Sequence, residues 1–132
     1  MIDANTPLSS LGSSLSDQIV VVIGGSTGIG LETARLARAQ GARVILTARN
    51  PVPLERAAKE LDALSFAAFD ATDFKRLQNF LNDIPILDHV LVTDPGPYYA
   101  PLTDFDLESA REDIETHLLL PIRARRFLNR AA

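Results

Sequence analysis

Short apolar runs recur along this chain, separated by stretches whose apolar residues repeat at helical spacing. The strongest run is Ile19-Val20-Val21-Val22-Ile23, five consecutive β-branched residues that read as a strand buried on both faces. The chain breaks at Gly24 and Gly25 and recovers into Leu31-Glu32-Thr33-Ala34-Arg35-Leu36-Ala37, a run of good helix formers that Gly41 stops. Residues 42–47 form the second predicted strand and residues 48–51 a turn. Pro53 then opens a helix that reaches about residue 64 through Leu54, Ala57, Ala58 and Leu61. Ser65-Phe66-Ala67-Ala68-Phe69 is the third strand, and Asp70, Thr72 and Asp73 offer capping side chains for a helix over residues 74–82. After a turn bracketed by Pro85 and Asp88, residues 89–93 give a fourth strand. Asp94-Pro95-Gly96-Pro97 forbids regular structure. A last helix begins near Glu108 and runs through Ile114, Leu118 and Leu119 towards Phe127, with a kink expected at Pro121, whose ring displaces a carbonyl and which donates no hydrogen bond. Strands and helices in strict alternation predict an α/β domain with a parallel sheet and right-handed crossovers.

Residues 1–17 are rich in serine and carry neither a basic start nor a long apolar segment. They read as a loosely held leader rather than a secretory signal, with Leu8, Leu11 or Leu15 available to dock, and residues 18–132 as the folded domain. At 132 residues the chain is long enough for one domain with a real core. A net charge of −4 with scattered basic residues points to neither nucleic acid nor an anionic membrane as partner. The absence of cysteine excludes disulfides, thiolate catalysis and cysteine-ligated metal, and agrees with a cytoplasmic location.

The chemistry concentrates at residues 24–30. A strand, a glycine-rich turn and a helix in that order form an anion-binding device: glycines let the backbone approach a diphosphate while free N–H groups and the positive helix end face its charge. Gly24, Gly28 and Gly30 give a G-x-x-x-G-x-G spacing. This is neither the G-x-G-x-x-G fingerprint nor an ATPase phosphate loop, which needs Lys-Ser or Lys-Thr where Leu31-Glu32 stands. The stretch Gly-Gly-Ser-Thr-Gly-Ile-Gly resembles the cofactor loop of the short-chain dehydrogenase/reductase family, written T-G-x-x-x-G-x-G, with Ile23 at the family's leading Thr. The resemblance implies a Rossmann-like doubly wound sheet, here with strand order 3-2-1-4, and a nicotinamide dinucleotide over the carboxyl ends of the strands. Gly24, Ser26, Thr27, Gly28, Ile29 and Gly30 would then form the cofactor loop.

Arg49 lies 19 positions beyond Gly30, where a dinucleotide fold meets the adenosine ribose. No Asp or Glu lies between Glu32 and Glu55, so the acid that would read NAD(H) is missing and Arg49 favours NADP(H). A charge-assisted bond there, about 1.5–3 kcal/mol, corresponds to roughly ten- to hundredfold in affinity. The competing reading is a solvated Arg in a turn. Asp70 resembles the family's adenine-contacting Asp at the end of the third strand, while Thr72 or Asp73 caps the next helix. Thr93-Asp94-Pro95-Gly96 stands where the family carries Asn-Asn-Ala-Gly, so Asp94 and Gly96 are implied to line the cofactor site.

His117 stands at the family's catalytic Asn, although the apolar spacing of Ile114, Leu118 and Pro121 also fits a histidine set in the core. Tyr98 and Tyr99 either border a substrate cleft or pack their own loop. The family's Tyr-x-x-x-Lys is absent: four positions beyond the two tyrosines stand Leu102 and Thr103, and Lys59 and Lys75 lie upstream. No metal site is expected. The resemblance covers the first half of a family domain, so the expectation is either a fragment or an incomplete relative. It implies the cofactor-binding part of an oxidoreductase that moves hydride between NADP(H) and a carbonyl or alcohol substrate, in a homo-oligomer. The alternative is a non-catalytic nucleotide-binding or regulatory module.

Overall fold

A computed structural model of the chain describes residues 14–93 and 98–128; Leu8, Leu11, Asp94 and Gly96 lie outside the described residues. The elements are β1 (Ile19–Ile23), α1 (Gly28–Ala39), β2 (Arg43–Ala48), α2 (Pro51–Glu60), β3 (Ser65–Ala68), α3 (Phe74–Asn82), β4 (His89–Val92), α4 (Leu107–Ile114) and α5 (Leu120–Leu128). The four strands form one parallel sheet in the order β3-β2-β1-β4. Fold class and strand order are those the sequence implied.

The β-branched run of β1 is buried on both faces because a helical layer covers each. Val20, Val22, Val44 and Leu46 point towards α1 and α2, where they meet Ala34, Ala37, Leu54, Ala57 and Leu61. Val21, Ile23 and Ile45 point the other way, to Phe69, Leu77, Leu81, Ile84, Leu120 and Ala124. Leu15 packs against the first cluster, and its N–H donates to the Gln40 carbonyl at 3.2 Å. At the amino end of the sheet the Asp88 carboxylate accepts the Ile19 N–H at 2.7 Å, fixing where β1 begins.

The helix ends follow local chemistry. Asn50 caps α2 through the Val52 N–H, and Pro51 and Pro53 fall in the first turn, where a missing donor costs nothing. Helix α2 therefore starts earlier than its proline alone suggested and ends at Glu60, with Asp62 at φ 49° turning the chain into β3. Asp73 caps α3 through the Arg76 N–H, and Asp106 caps α4 through Glu108 and Ser109. Gly41, at φ 90°, lies just past the end of α1.

Pro121 does not break the last helix. Residues Glu115–Leu119 form a single π turn between α4 and α5, in which the Leu120 N–H donates to the Glu115 carbonyl five residues back. Widening the helix one turn before the proline accommodates the donor that Pro121 lacks and the bulk of its ring. Among the described residues no helix is long and apolar enough to cross a membrane.

Leu77 is fully buried between α3 and the sheet, whereas Leu36 on α1 is 54% exposed. Leu77→Ala should lower the unfolding free energy by about 2–5 kcal/mol and Leu36→Ala by less than about 0.5 kcal/mol, as measured by urea denaturation. Equal losses would contradict the two-layer packing.

Candidate functional site

At the carboxyl ends of the strands the loops enclose an open cleft of about 1230 Å³. One corner of it is built from the glycine loop. Gly24 and Gly28 adopt φ values of 87° and 57°, a left-handed backbone that glycine takes without penalty. The Gly24 and Gly25 N–H groups donate to the Thr47 carbonyl at 2.8 and 3.1 Å, locking the loop to β2. On the other side, the Thr93 hydroxyl lies 3.0 Å from both the Ile23 and Gly24 carbonyls, locking it to the end of β4.

Gly30 is the tightest point of the loop. A Cβ there would lie 2.1 Å from the Gly24 carbonyl oxygen and 2.7 Å from the Thr93 hydroxyl. Gly28 is the opposite case: a Cβ there would have no atom within 4 Å, so its backbone stands open to the cleft. Thr27 occupies the N-cap of α1 without a side-chain hydrogen bond, and the first turn holds no acidic residue. The positive end of the helix thus meets the cleft uncompensated, in the arrangement that favours a bound anion. These features fit the pyrophosphate of a dinucleotide.

Arg49 follows β2 on the cleft wall, next to Asp70 beyond β3. The Asp70 carboxylate accepts the Thr72 hydroxyl at 2.7 Å and the Thr72 N–H at 2.9 Å. These bonds, the hydroxyl foremost, hold its pKa below the usual carboxylate value, and the Arg49 guanidinium contributes in the same direction. Thr72 is thereby committed to Asp70, and capping of α3 falls to Asp73 alone.

The structure brings Gly24, Ser26, Thr27, Gly28, Ile29, Gly30, Arg49 and Asp70 around one cleft. Ile29 is 78% exposed at its mouth. His117 is not among the lining residues; its neighbour Thr116 is. The core setting read from its spacing is overturned, because Ile114 and Leu118 are 52% and 54% exposed and the buried residues beyond the π turn are Leu120 and Ala124. A π turn shifts the phase of the helix, so the regular spacing named the wrong face. His117 Nδ1 lies 3.1 Å from the Asp113 carbonyl oxygen, an acceptor only, so in the neutral ring Nδ1 carries the proton and Nε2 the lone pair.

Tyr98 and Tyr99 stay away from the cleft. The Tyr98 ring packs on Phe105, its hydroxyl accepts the Asp106 N–H at 3.1 Å, and its own N–H donates to the Asp113 carboxylate at 2.7 Å. Tyr99 is 86% exposed. Sequence reasoning did not single out Thr47, Arg111, Glu112, Glu115 and Thr116, which also line the cleft. Thr47 was hidden inside a strand-forming run, and Glu115 and Thr116 lie within the π turn, which regular helical spacing does not reveal. Among the described residues no group of three or more His, Cys, Asp or Glu could hold a metal ion.

The chain matches the family model described as short chain dehydrogenase over residues 18–90. It is 50% identical over 58 residues to an uncharacterized oxidoreductase, YxnA, of Bacillus subtilis (43% of this chain, 15% of the relative). It is 28% identical over 131 residues to the short-chain dehydrogenase/reductase ATR9 of Stachybotrys chlorohalonatus (86% of this chain, 52% of the relative). Among solved structures, the oxidoreductase yciK from E. coli superposes with a TM-score of 0.81 at 21% identity, covering 96% of this chain and 56% of that one. The chain thus spans about half the length, or less, of these relatives.

Two predictions follow from the loop and its rim. Gly30→Ala, which drives a Cβ into backbone, should cost about 3 kcal/mol or more, and Gly28→Ala, strained but unobstructed, about 1 kcal/mol. Thermal melts that rank the two variants in reverse would refute the packing at Gly30. The lowered pKa of Asp70 stabilises the fold above its unfolded value of about 3.9, and that contribution is lost as the pH falls through the lower folded value. The stability difference between wild type and Thr72→Val should therefore be flat from about pH 5 to 7 and shrink below about pH 4; a difference that grows on acidification would overturn it.

Proposed function

Because the chain belongs to the short-chain dehydrogenase family, we propose that it is the NADP(H)-binding part of an oxidoreductase that moves hydride between the nicotinamide cofactor and a carbonyl or alcohol substrate. The observation that carries this reading is the open backbone at Gly28 beside the uncapped start of α1, closed from below by Gly30. In this reading the residues of the glycine loop, Gly24, Ser26, Thr27, Gly28, Ile29 and Gly30, seat the pyrophosphate. Arg49 pairs with the 2′-phosphate of the adenosine ribose, and Asp70 contacts the base. Asp94 and Gly96 are assigned to the same site on the family resemblance.

The bound dinucleotide supplies the hydride. The chain's own part is to hold that cofactor and to exclude water from the pyrophosphate. Proton transfer to substrate needs an acid that neither tyrosine provides, since the Tyr98 hydroxyl is engaged with Asp106 and no lysine stands four residues beyond either. His117 is assigned to the relay position on the family resemblance alone, since it does not line the cleft. The departure of Thr93-Asp94-Pro95-Gly96 from the family's Asn-Asn-Ala-Gly favours a second reading, a nucleotide-binding or regulatory module without catalysis. We assign the protein to the cytoplasm as an assembly of identical chains. The cysteine-free composition supports the location, and the exposed apolar stripe Ile114, Leu118 and Ile122 supports the assembly.

Calorimetric titration tests the cofactor assignment. Wild type should bind NADPH roughly ten- to hundredfold more tightly than NADH, and Arg49→Ala should erase most of that preference while leaving NADH affinity nearly unchanged. Equal affinities in the wild type would remove the role given to Arg49.

A further inference from the structure

Asp113 stands near the end of α4, next to Glu112, which lines the cleft; Asp113 itself does not. Its Oδ2 accepts the Tyr98 N–H at 2.7 Å, reaching back from the helix to the loop that precedes it. An ionised acceptor makes such a bond about twice as strong as a neutral one. Its Oδ1 lies 3.9 Å from His117 Nδ1. Tyr98 is held at two further points, with its ring on Phe105 at 5.5 Å between centroids and its hydroxyl accepting the Asp106 N–H. Nothing in the geometry of the glycine loop or of Asp70 uses Asp113: the loop is tied to Thr47 and Thr93, and Asp70 to Thr72.

Thr93 is the matching anchor on the sheet. It lines the cleft at the end of β4, with its N–H on the Ile23 carbonyl at 2.8 Å. Four residues separate it from Tyr98, so the two anchors are at most about 18 Å apart. A tether that short passes a displacement of Tyr98 on to the rim at Thr93. In the nucleotide reading, the adenosine lies at Arg49 and Asp70, beyond β2 and β3, and the pyrophosphate at the glycine loop beyond β1. The strand order β3-β2-β1-β4 then leaves the end of β4 for the other half of the dinucleotide. We propose that Asp113 is a positioning residue: by holding the Tyr98 N–H it fixes the rim beyond β4 against which the nicotinamide half is seated. This rests on the nucleotide reading given above and deepens it, adding a residue of α4 that touches neither cofactor nor substrate.

The experiment separates the two halves of the ligand. Wild type, Asp113→Ala and Asp113→Asn, which keeps a neutral acceptor in place, are titrated calorimetrically with NADPH and with adenosine 2′,5′-bisphosphate, which lacks the nicotinamide half. Asp113→Ala should bind NADPH roughly three- to tenfold more weakly than wild type and the bisphosphate equally well, and Asp113→Asn should recover most of the loss. A merely structural role would weaken both ligands together; that result overturns the proposal, as does an alanine variant with unchanged NADPH affinity. Should Asp113→Ala fail to fold, hydrogen exchange at the Tyr98 amide of wild type decides instead. NADPH should slow that exchange and the bisphosphate leave it unchanged, whereas equal effects of the two ligands overturn the proposal. A wild type that binds neither ligand brings down the nucleotide reading itself, an outcome distinct from a wild type that binds both and a variant that behaves like it.

Discussion

The contact between Gly24 and Gly30 is the constraint on which the site depends. A Cβ at Gly30 would stand 2.1 Å from the Gly24 carbonyl oxygen, so helix α1 can begin against the end of β1 only if that side chain is a hydrogen. The Thr93 hydroxyl reaches the same carbonyl from β4, and the Thr47 carbonyl receives the loop's N–H groups from β2. Three neighbouring strands thus converge on one turn. Their convergence leaves Gly28 uncovered at the start of a helix dipole whose N-cap residue, Thr27, makes no side-chain cap.

The core explains why this turn stays where it is. Alternate residues of β1 feed two separate apolar layers, Val20 and Val22 on one side, Val21 and Ile23 on the other. A strand so clamped cannot slip by one residue without exchanging both layers, which fixes the register with β2 and β4 and hence the height of the glycine turn above the sheet. Polar ties at the sheet's opposite end, such as Asp88 with the Ile19 N–H, set the other limit of β1. Stability and binding geometry share a single origin. The loop is rigid because the strand beneath it is.

The last helix joins the site by a different route. Glu112 on α4, Glu115 and Thr116 in the π turn ahead of Pro121, and Leu120 at the start of α5 all line the cleft. That turn also sets Ile114 and Leu118 outward and His117 away from the cleft, with its Nδ1–H on the Asp113 carbonyl. The carboxylate of Asp113 meanwhile anchors Tyr98, so helix and preceding loop are tied into one unit.

Much of the fold was legible in the residues. The β-branched run of β1, the capping side chains at Asp73 and the stop at Gly41 are local signals, and a parallel sheet follows from strict alternation because crossovers have a fixed hand. The glycine spacing likewise announced an anion cradle, since glycine adopts without penalty the left-handed backbone found at Gly24 and Gly28. Other features depend on neighbours distant in sequence. Thr47 reads as one more strand residue until Ile23, Phe69 and Leu120 close around it and leave its hydroxyl unpaired. The surroundings of His117 turned on a helical phase that Pro121 alters, so a periodicity of 3.6 pointed to the wrong face. Local propensity is written residue by residue, whereas burial and pairing belong to the packed whole; the sequence by itself determined the elements and the loop, and tertiary contacts alone decided which polar groups face the cleft and which are left without partners.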